Sequence, residues 1–182
     1  MACNISLGYN EPCKDSIAGL TAVYFMNFTT GSFTLNATDV VTAFPTGSNT
    51  VYKYELKGTN GYTETVNTSR DNGTTFFSQV LSLQLKKLEA TATKEFKLLA
   101  YSRPKIFVAD RNGNCFLVGK NEGADMTAGT ITTGTAYGDL SGYTLEFTGN
   151  EPLPANFLTG STLANPFAGV SNAPTVVYGT NS

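Results

Sequence analysis

The sequence predicts a mainly β domain with one short amphipathic helix, and three observations in one stretch carry that expectation. First, Phe76 to Leu88 has the period of a strand, with Val80, Leu81, Leu83 and Leu85 set against Ser82, Gln84 and Lys86. Second, the period changes to three or four from Glu89 to Ala100, where Ala92, Phe96 and Leu99 are separated by Lys94, Glu95 and Lys97. That pattern is a helix of about three turns, too short to stand alone and so packed on something. Third, Lys105 to Ala109 and Cys115 to Gly119 are apolar runs joined by Asp110-Arg111-Asn112-Gly113-Asn114, and an Asn-Gly step between such runs is a strong hairpin signal. With Asn112 and Gly113 as the two turn residues, Val108 is expected to face Leu117 and Phe107 to face Val118.

The remaining elements follow in chain order. Met1 to Lys14 is polar and punctuated by Gly and Pro, and reads as an N-terminal arm (residues 1–14). Leu20 to Phe28 is aromatic and β-branched, a strand. Phe33 to Phe44 holds another, interrupted near Asn36 to Asp39, and Val51 to Lys57 alternates as a half-buried strand does. Gly58 to Thr75 carries two Asn-Gly steps, Asn60-Gly61 and Asn72-Gly73, around a short strand at Tyr62 to Val66, and suggests a projecting hairpin or a long loop. Gly119 to Asp139 has few large side chains and little pattern. Tyr143 to Phe147 alternates as a late strand. After Asn150 the chain becomes Pro-rich and loses its period, so residues 1–150 read as the domain and 151–182 as a C-terminal arm.

At 182 residues the chain is long enough to bury a real core. Only 14% of it is charged and the formal net charge is −2. Thr, Asn, Ser and Gly supply the polar surface, which argues against a polybasic nucleic-acid binder. No stretch approaches the length of a transmembrane span. The N-terminus lacks the basic start and apolar run of a secretory signal, and no membrane partner is expected.

The chemistry of sites returns little. There is no histidine, so Ser-His-Asp and Cys-His arrangements are excluded. Asp110, Asp125, Asp139 and Glu151 are expected in loops, where carboxylates are usually solvated rather than paired for catalysis. Cys3, Cys13 and Cys115 lack the spacing of a metal site and read as free thiols, with a small loop closed by Cys3 and Cys13 as the alternative. Asp110 to Asn114 fails the register of a calcium loop, which would put Asn121 at its last ligand position. No enzyme activity, catalytic residue, metal or cofactor is expected.

A structural or binding protein remains, and several strings resemble the tail tube proteins of tailed bacteriophages, in particular those of phages infecting Bacteroidetes bacteria. They are Gly8-Tyr9-Asn10-Glu11-Pro12-Cys13-Lys14-Asp15 with Gly19 and Val23-Tyr24-Phe25, and Tyr54-Glu55-Leu56-Lys57-Gly58. Gly73-Thr74-Thr75-Phe76, the Asp110 to Asn114 hairpin followed by Gly119, and Gly134, Gly138-Asp139-Leu140 and Gly142-Tyr143 complete the likeness, which covers residues 3 to 150.

The resemblance implies two packed β-sheets or a flattened β-barrel with one helix outside. It implies self-assembly into rings, commonly hexameric, that stack as the tail tube through which the genome passes. The chain would be made in the bacterial host cytoplasm and reside in the virion tail. Its partners would be further copies of itself, other tail and head-to-tail connector proteins, and double-stranded DNA in passive contact. On this sequence the inter-ring loop would hold Gly58, Asn60, Gly61, Tyr62, Asn72 and Gly73. Ser82, Gln84 and Lys86 would form the lumen or subunit-contact face, and Ala92, Phe96 and Leu99 would anchor the helix. Low charge fits a conduit, because Lys or Arg neutralising many phosphates would hold the DNA. Two alternatives stand beside it: another β-rich virion protein (head-decoration, connector or fibre-attachment subunit), and a small carbohydrate-binding or adhesin module. If the residues after Asn150 are an arm, a chain stopped there is expected to fold yet assemble poorly; the alternatives are disorder or a tail packed on its own domain, in which case the melt itself would be lost.

Overall fold

The chain's continuous apolar runs become its central strands, and its alternating runs become strands with one polar face. A computed structural model describes Ile5 and residues 7 to 179. The elements in order are β1 (Leu20–Met26), β2 (Thr34–Leu35), β3 (Val41–Ala43), β4 (Thr50–Glu55), β5 (Gly61–Ser69), β6 (Thr74–Lys86), α1 (Ala90–Tyr101), β7 (Lys105–Asp110), β8 (Cys115–Val118), β9 (Asp125–Thr132), β10 (Gly142–Glu151), β11 (Asn156–Phe157) and β12 (Thr175–Tyr178).

They form a six-stranded sheet in the order β11-β8-β7-β1-β4-β12, a four-stranded antiparallel sheet in the order β5-β6-β10-β9, and the small β2-β3 pair. Both large sheets are open, ending on β11 and β12 and on β5 and β9. In the six-stranded sheet β12 runs parallel to β4 and the other pairings are antiparallel. Mainly β structure with one short helix is thus the fold of the described residues.

Two cores lie on opposite faces of the six-stranded sheet. Between the large sheets, Val23, Phe25, Ile106, Val108 and Val118 meet Leu81, Leu83, Tyr143, Leu145 and Phe147. On the far face, Tyr24, Phe107, Cys115 and Leu117 are covered by Phe33, Val41 and Phe44, and by Leu158, Phe167 and Val170. The central strands β1 and β7 are therefore buried on both faces, which is why their sequences are nearly unbroken apolar runs. Helix α1 closes the end of the first core with Phe96, its one buried residue, while Ala92 and Leu99 pack beside it.

Several local expectations shift for physical reasons. The short strand at Tyr62 to Val66 extends to Ser69, because every residue from Gly61 to Ser69 pairs with β6. The region from Gly119 to Asp139 holds β9, whose small side chains hid its pattern. The β7-β8 hairpin has Phe107 opposite Leu117 and Val108 opposite Phe116, one residue from the expected register. Its turn is a three-residue loop, Arg111-Asn112-Gly113, closed by Asp110 N–H donating to the Asn114 carbonyl at 3.0 Å, with Gly113 at φ +85°. A three-residue loop with glycine in the left-handed region is the next commonest hairpin after the two-residue turn. The shift matters because it sends Phe107 and Leu117 together to the second core and keeps Val108 in the first.

Beyond Asn150 the chain does not stand off the domain. Leu158, Phe167 and Val170 are core residues, and β11 and β12 complete both edges of the six-stranded sheet. The Leu158 amide donates to the Cys115 carbonyl at 2.9 Å, Thr159 to Val41 at 2.9 Å and Ser171 to Thr42 at 2.8 Å. Pro152, Pro154, Pro166 and Pro174 fall between the short strands, where a missing N–H breaks no ladder. The segment wraps its own domain by separate anchors rather than by a repeating face.

Candidate assembly surfaces

The outward face of the four-stranded sheet is set by the alternation of its strands. Leu81 and Leu83 of β6 point into the core, so Ser82 is exposed, Gln84 half-buried and Lys86 exposed on the opposite face. Cross-strand ladders extend that face. Gly61, Ser82, Glu146 and Ala128 lie in one row, and Gln84, Thr144 and Thr130 in the next. Thr63, Val80, Thr148 and Asp125 form another. Thr127, bulged out of β9, lies 3.1 Å from the Thr148 hydroxyl. Lys86, Glu146 and Asp125 carry the only charges in these rows and the Lys86 row beside them, so the face is hydroxyl and amide with little net charge.

Both edges of this sheet are long and open. β5 has nine residues and β9 eight, each paired on one side only. Neither contains Lys or Pro, and each has a single acid, Glu64 and Asp125. Glu64 points inward, where its Oε2 accepts from the Tyr62 hydroxyl at 3.1 Å and its Oε1 accepts from the Ala155 amide at 3.0 Å. Monomeric proteins usually blunt such edges with charge, proline or a covering element.

The residues expected in one inter-ring loop separate. Asn72 and Gly73 are at the tip of the β5-β6 hairpin, where the Gly73 amide reaches the Arg70 carbonyl. Beyond the Phe77–Glu151 pair, Thr74 to Phe76 pair with β5 alone, so the tip projects as two strands with Val66 and Phe76 exposed. Gly58, Asn60 and Gly61 sit at the other end of β5, about 26 Å away at the ordinary strand rise. Asn60 Oδ1 there accepts from the Gln84 amide at 2.7 Å. Tyr62 turns inward and stacks on Phe116 with ring centroids 6.1 Å apart. Burial, then the neighbouring Glu64, pushes its phenol up from the ordinary tyrosine range.

Among the described residues of the N-terminal segment, Ile5, Leu7 and Tyr9 are almost fully exposed. The segment is tied down at Ile17, whose amide donates to Asn112 Oδ1 at 2.8 Å and whose carbonyl accepts from Asn112 Nδ2 at 3.1 Å. Cys13 is exposed and Cys115 buried, both as free thiols, while Cys3 lies outside the described residues.

Of the four carboxylates expected in loops only Asp139 stands in one; Asp110 ends β7, Asp125 opens β9 and Glu151 ends β10, and backbone amides engage Asp110, Asp139 and Glu151. Asp110 accepts the Asn112 and Asn114 amides at 2.8 Å each, and the Ala136 amide, then that of Thr135, holds Asp139 below the usual carboxylate range. Glu151 is buried, with Oε1 accepting from the Asn121 and Glu122 amides at 2.8 and 2.9 Å. Among the described residues no group of three or more His, Cys, Asp or Glu is placed to hold a metal ion.

Sequence reasoning passed over a pocket of about 320 Å³ lined by Thr29 to Phe33, Lys105, Lys120 and Asn121. Its signal was a lysine opening an otherwise apolar strand, Lys105-Ile106-Phe107-Val108. Comparison of the chain with protein-family models, curated proteins and solved structures returned no match.

Proposed function

We propose that the chain is a virion structural subunit that assembles into stacked rings forming a phage tail tube. The observation that carries the reading is the four-stranded sheet: a broad hydroxyl and amide face between two long, open, nearly uncharged edges. Successive strands alternate in direction, so β5 of one copy beside β9 of the next continues the antiparallel order. Rotation about an axis along the strands then closes a ring, commonly of six, with the polar face toward the channel. Ser82 and Gln84 would line it. Such a lining offers duplex DNA few cations to hold it. The projecting Val66–Phe76 hairpin and the exposed N-terminal segment supply apolar contacts for the next ring or for tail and connector partners.

Negative-stain microscopy of the purified full-length chain tests this. Rings or tubes with a central hole support it. A monodisperse monomer at every concentration overturns it, and affinity of that monomer for glycans would favour a carbohydrate-binding module.

A further inference from the structure

Lys105 is 3% exposed, yet among the described residues no carboxylate oxygen lies within 4.0 Å of its ammonium. Its Nζ instead stands 5.0 Å from the Phe33 ring centroid and 5.4 Å from that of Phe28. Aromatic faces offset part of an ammonium's lost hydration, but a buried cation ordinarily needs an anionic or hydrogen-bonded partner as well.

The pocket at its head offers room for one. Lys120 supplies a second cation, Thr29, Thr30 and Ser32 supply hydroxyls, and Asn121 closes the wall. The loop is held close by Gly31, where an added Cβ would come within 2.6 Å of Pro45 Cβ. The Thr29 hydroxyl accepts from the Gly31 amide at 3.2 Å, leaving its proton free to donate. Glu151, whose Oε1 accepts the Asn121 and Glu122 amides and whose buried Oε2 has no hydrogen-bond partner among the described residues, also acts on Lys105, and against two lysines its one charge leaves the local balance positive.

We propose that this pocket binds a phosphate-class oxyanion, with Lys105 and Lys120 as its charge partners and the Thr29 to Ser32 hydroxyls as donors. The volume exceeds that of one phosphate, so the anion binds with water or with an attached group. Burial lowers the affinity of Lys105 for its proton, and an anion in the pocket would restore it.

The test is thermal melting of the full chain at constant ionic strength while phosphate replaces chloride, with a nucleoside monophosphate as a second arm. A saturable rise in Tm with phosphate is expected, and a lower half-saturation with the monophosphate would show that the anion carries an attached group. Lys105→Met is expected to weaken apparent affinity by about tenfold or more, as loss of a charged hydrogen-bond partner does. If that variant does not fold, Lys120→Gln on the open side reads the same titration and should also weaken it. No saturable rise with either anion, or an identical rise in the lysine variants, would overturn the site.

Discussion

The hydroxyl of Tyr143 lies 2.7 Å from Thr93 Oγ1 and accepts the Glu89 amide at 3.0 Å, so a strand of the four-stranded sheet caps the only helix among the described residues. Glu89 itself makes no side-chain cap, and the first turn of α1 holds no acid to favour its dipole. The buried phenol does that work from outside the helix, while its ring packs edge-on to Phe96 at 4.5 Å. Tyr143→Phe keeps the ring and removes the cap. A loss of about 1–2 kcal/mol is expected from denaturant midpoints, and adding Thr93→Ala should cost less than in the parent.

Phe96 joins three parts of the first core, touching Tyr143 and lying 6.2 Å from Tyr54 by ring centroid. Phe96→Ala should cost about 3–5 kcal/mol, a large share of the roughly 5–15 kcal/mol that stabilises a domain. An unchanged Tm would show that the helix contributes little to the core.

The parts of the fold that repeat were legible in the sequence, and the parts that act singly were not. Leu81, Leu83 and Leu85 alternate with polar residues, and Ala92, Phe96 and Leu99 share a helical stripe, so period alone placed them. Leu158, Phe167 and Val170 each fill a separate hole in the second core, and no period links them. The hairpin register turned on whether two or three residues make the turn, which Asn112-Gly113 does not decide. Likewise Gly58 to Thr75 promised a projection, but the inward turn of Tyr62 depends on Phe116, 54 residues on in the chain. The polar strand face was legible; the two open edges that give it meaning required the strand order.

Buried phenols set the alkaline limit. Burial, with the nearby Cys115, Tyr178 and Glu55 adding to it, pushes Tyr24 up to about 12; burial and Glu95 push Tyr54 up to about 12. Between their ordinary value near 10 and that value, the unfolded chain releases protons that the folded chain keeps. The folded state then binds more protons, so stability falls as pH rises through this window. Denaturant midpoints should drop steadily from about pH 10 to 12, and Tyr24→Phe should flatten the slope. A midpoint that does not move in that range would show that these phenols ionise as freely as in the unfolded chain.

The channel reading makes an electrostatic prediction. Ser82 is exposed and Gln84 half-buried on the polar sheet face, so Ser82→Arg with Gln84→Arg should leave the melt close to that of the parent. If this face lines a channel, tubes of the double variant should retain duplex DNA with an affinity that falls steeply with salt. Equal DNA retention by parent and variant tubes would remove this face from the lining.

The final prediction reverses what the proline-rich composition suggests. A chain stopped after Asn150 loses Leu158, Phe167 and Val170 from the second core, with Phe167 edge-on to Tyr24 at 5.1 Å and to Phe107 at 5.5 Å. Each large buried apolar side chain removed costs about 2–5 kcal/mol, so three approach or exceed the roughly 5–15 kcal/mol available. Both edges of the six-stranded sheet also lose their partner strands, which leaves the outer sides of β8 and β4 unpaired. Glu64 Oε1 loses the Ala155 amide, and Glu151 no longer orders the Asn121 and Glu122 amides. The truncated chain should therefore lack a cooperative melt and elute as aggregate in size-exclusion chromatography. A monomer that melts like the full chain would show that residues 151 to 178 rest on the domain without supporting it.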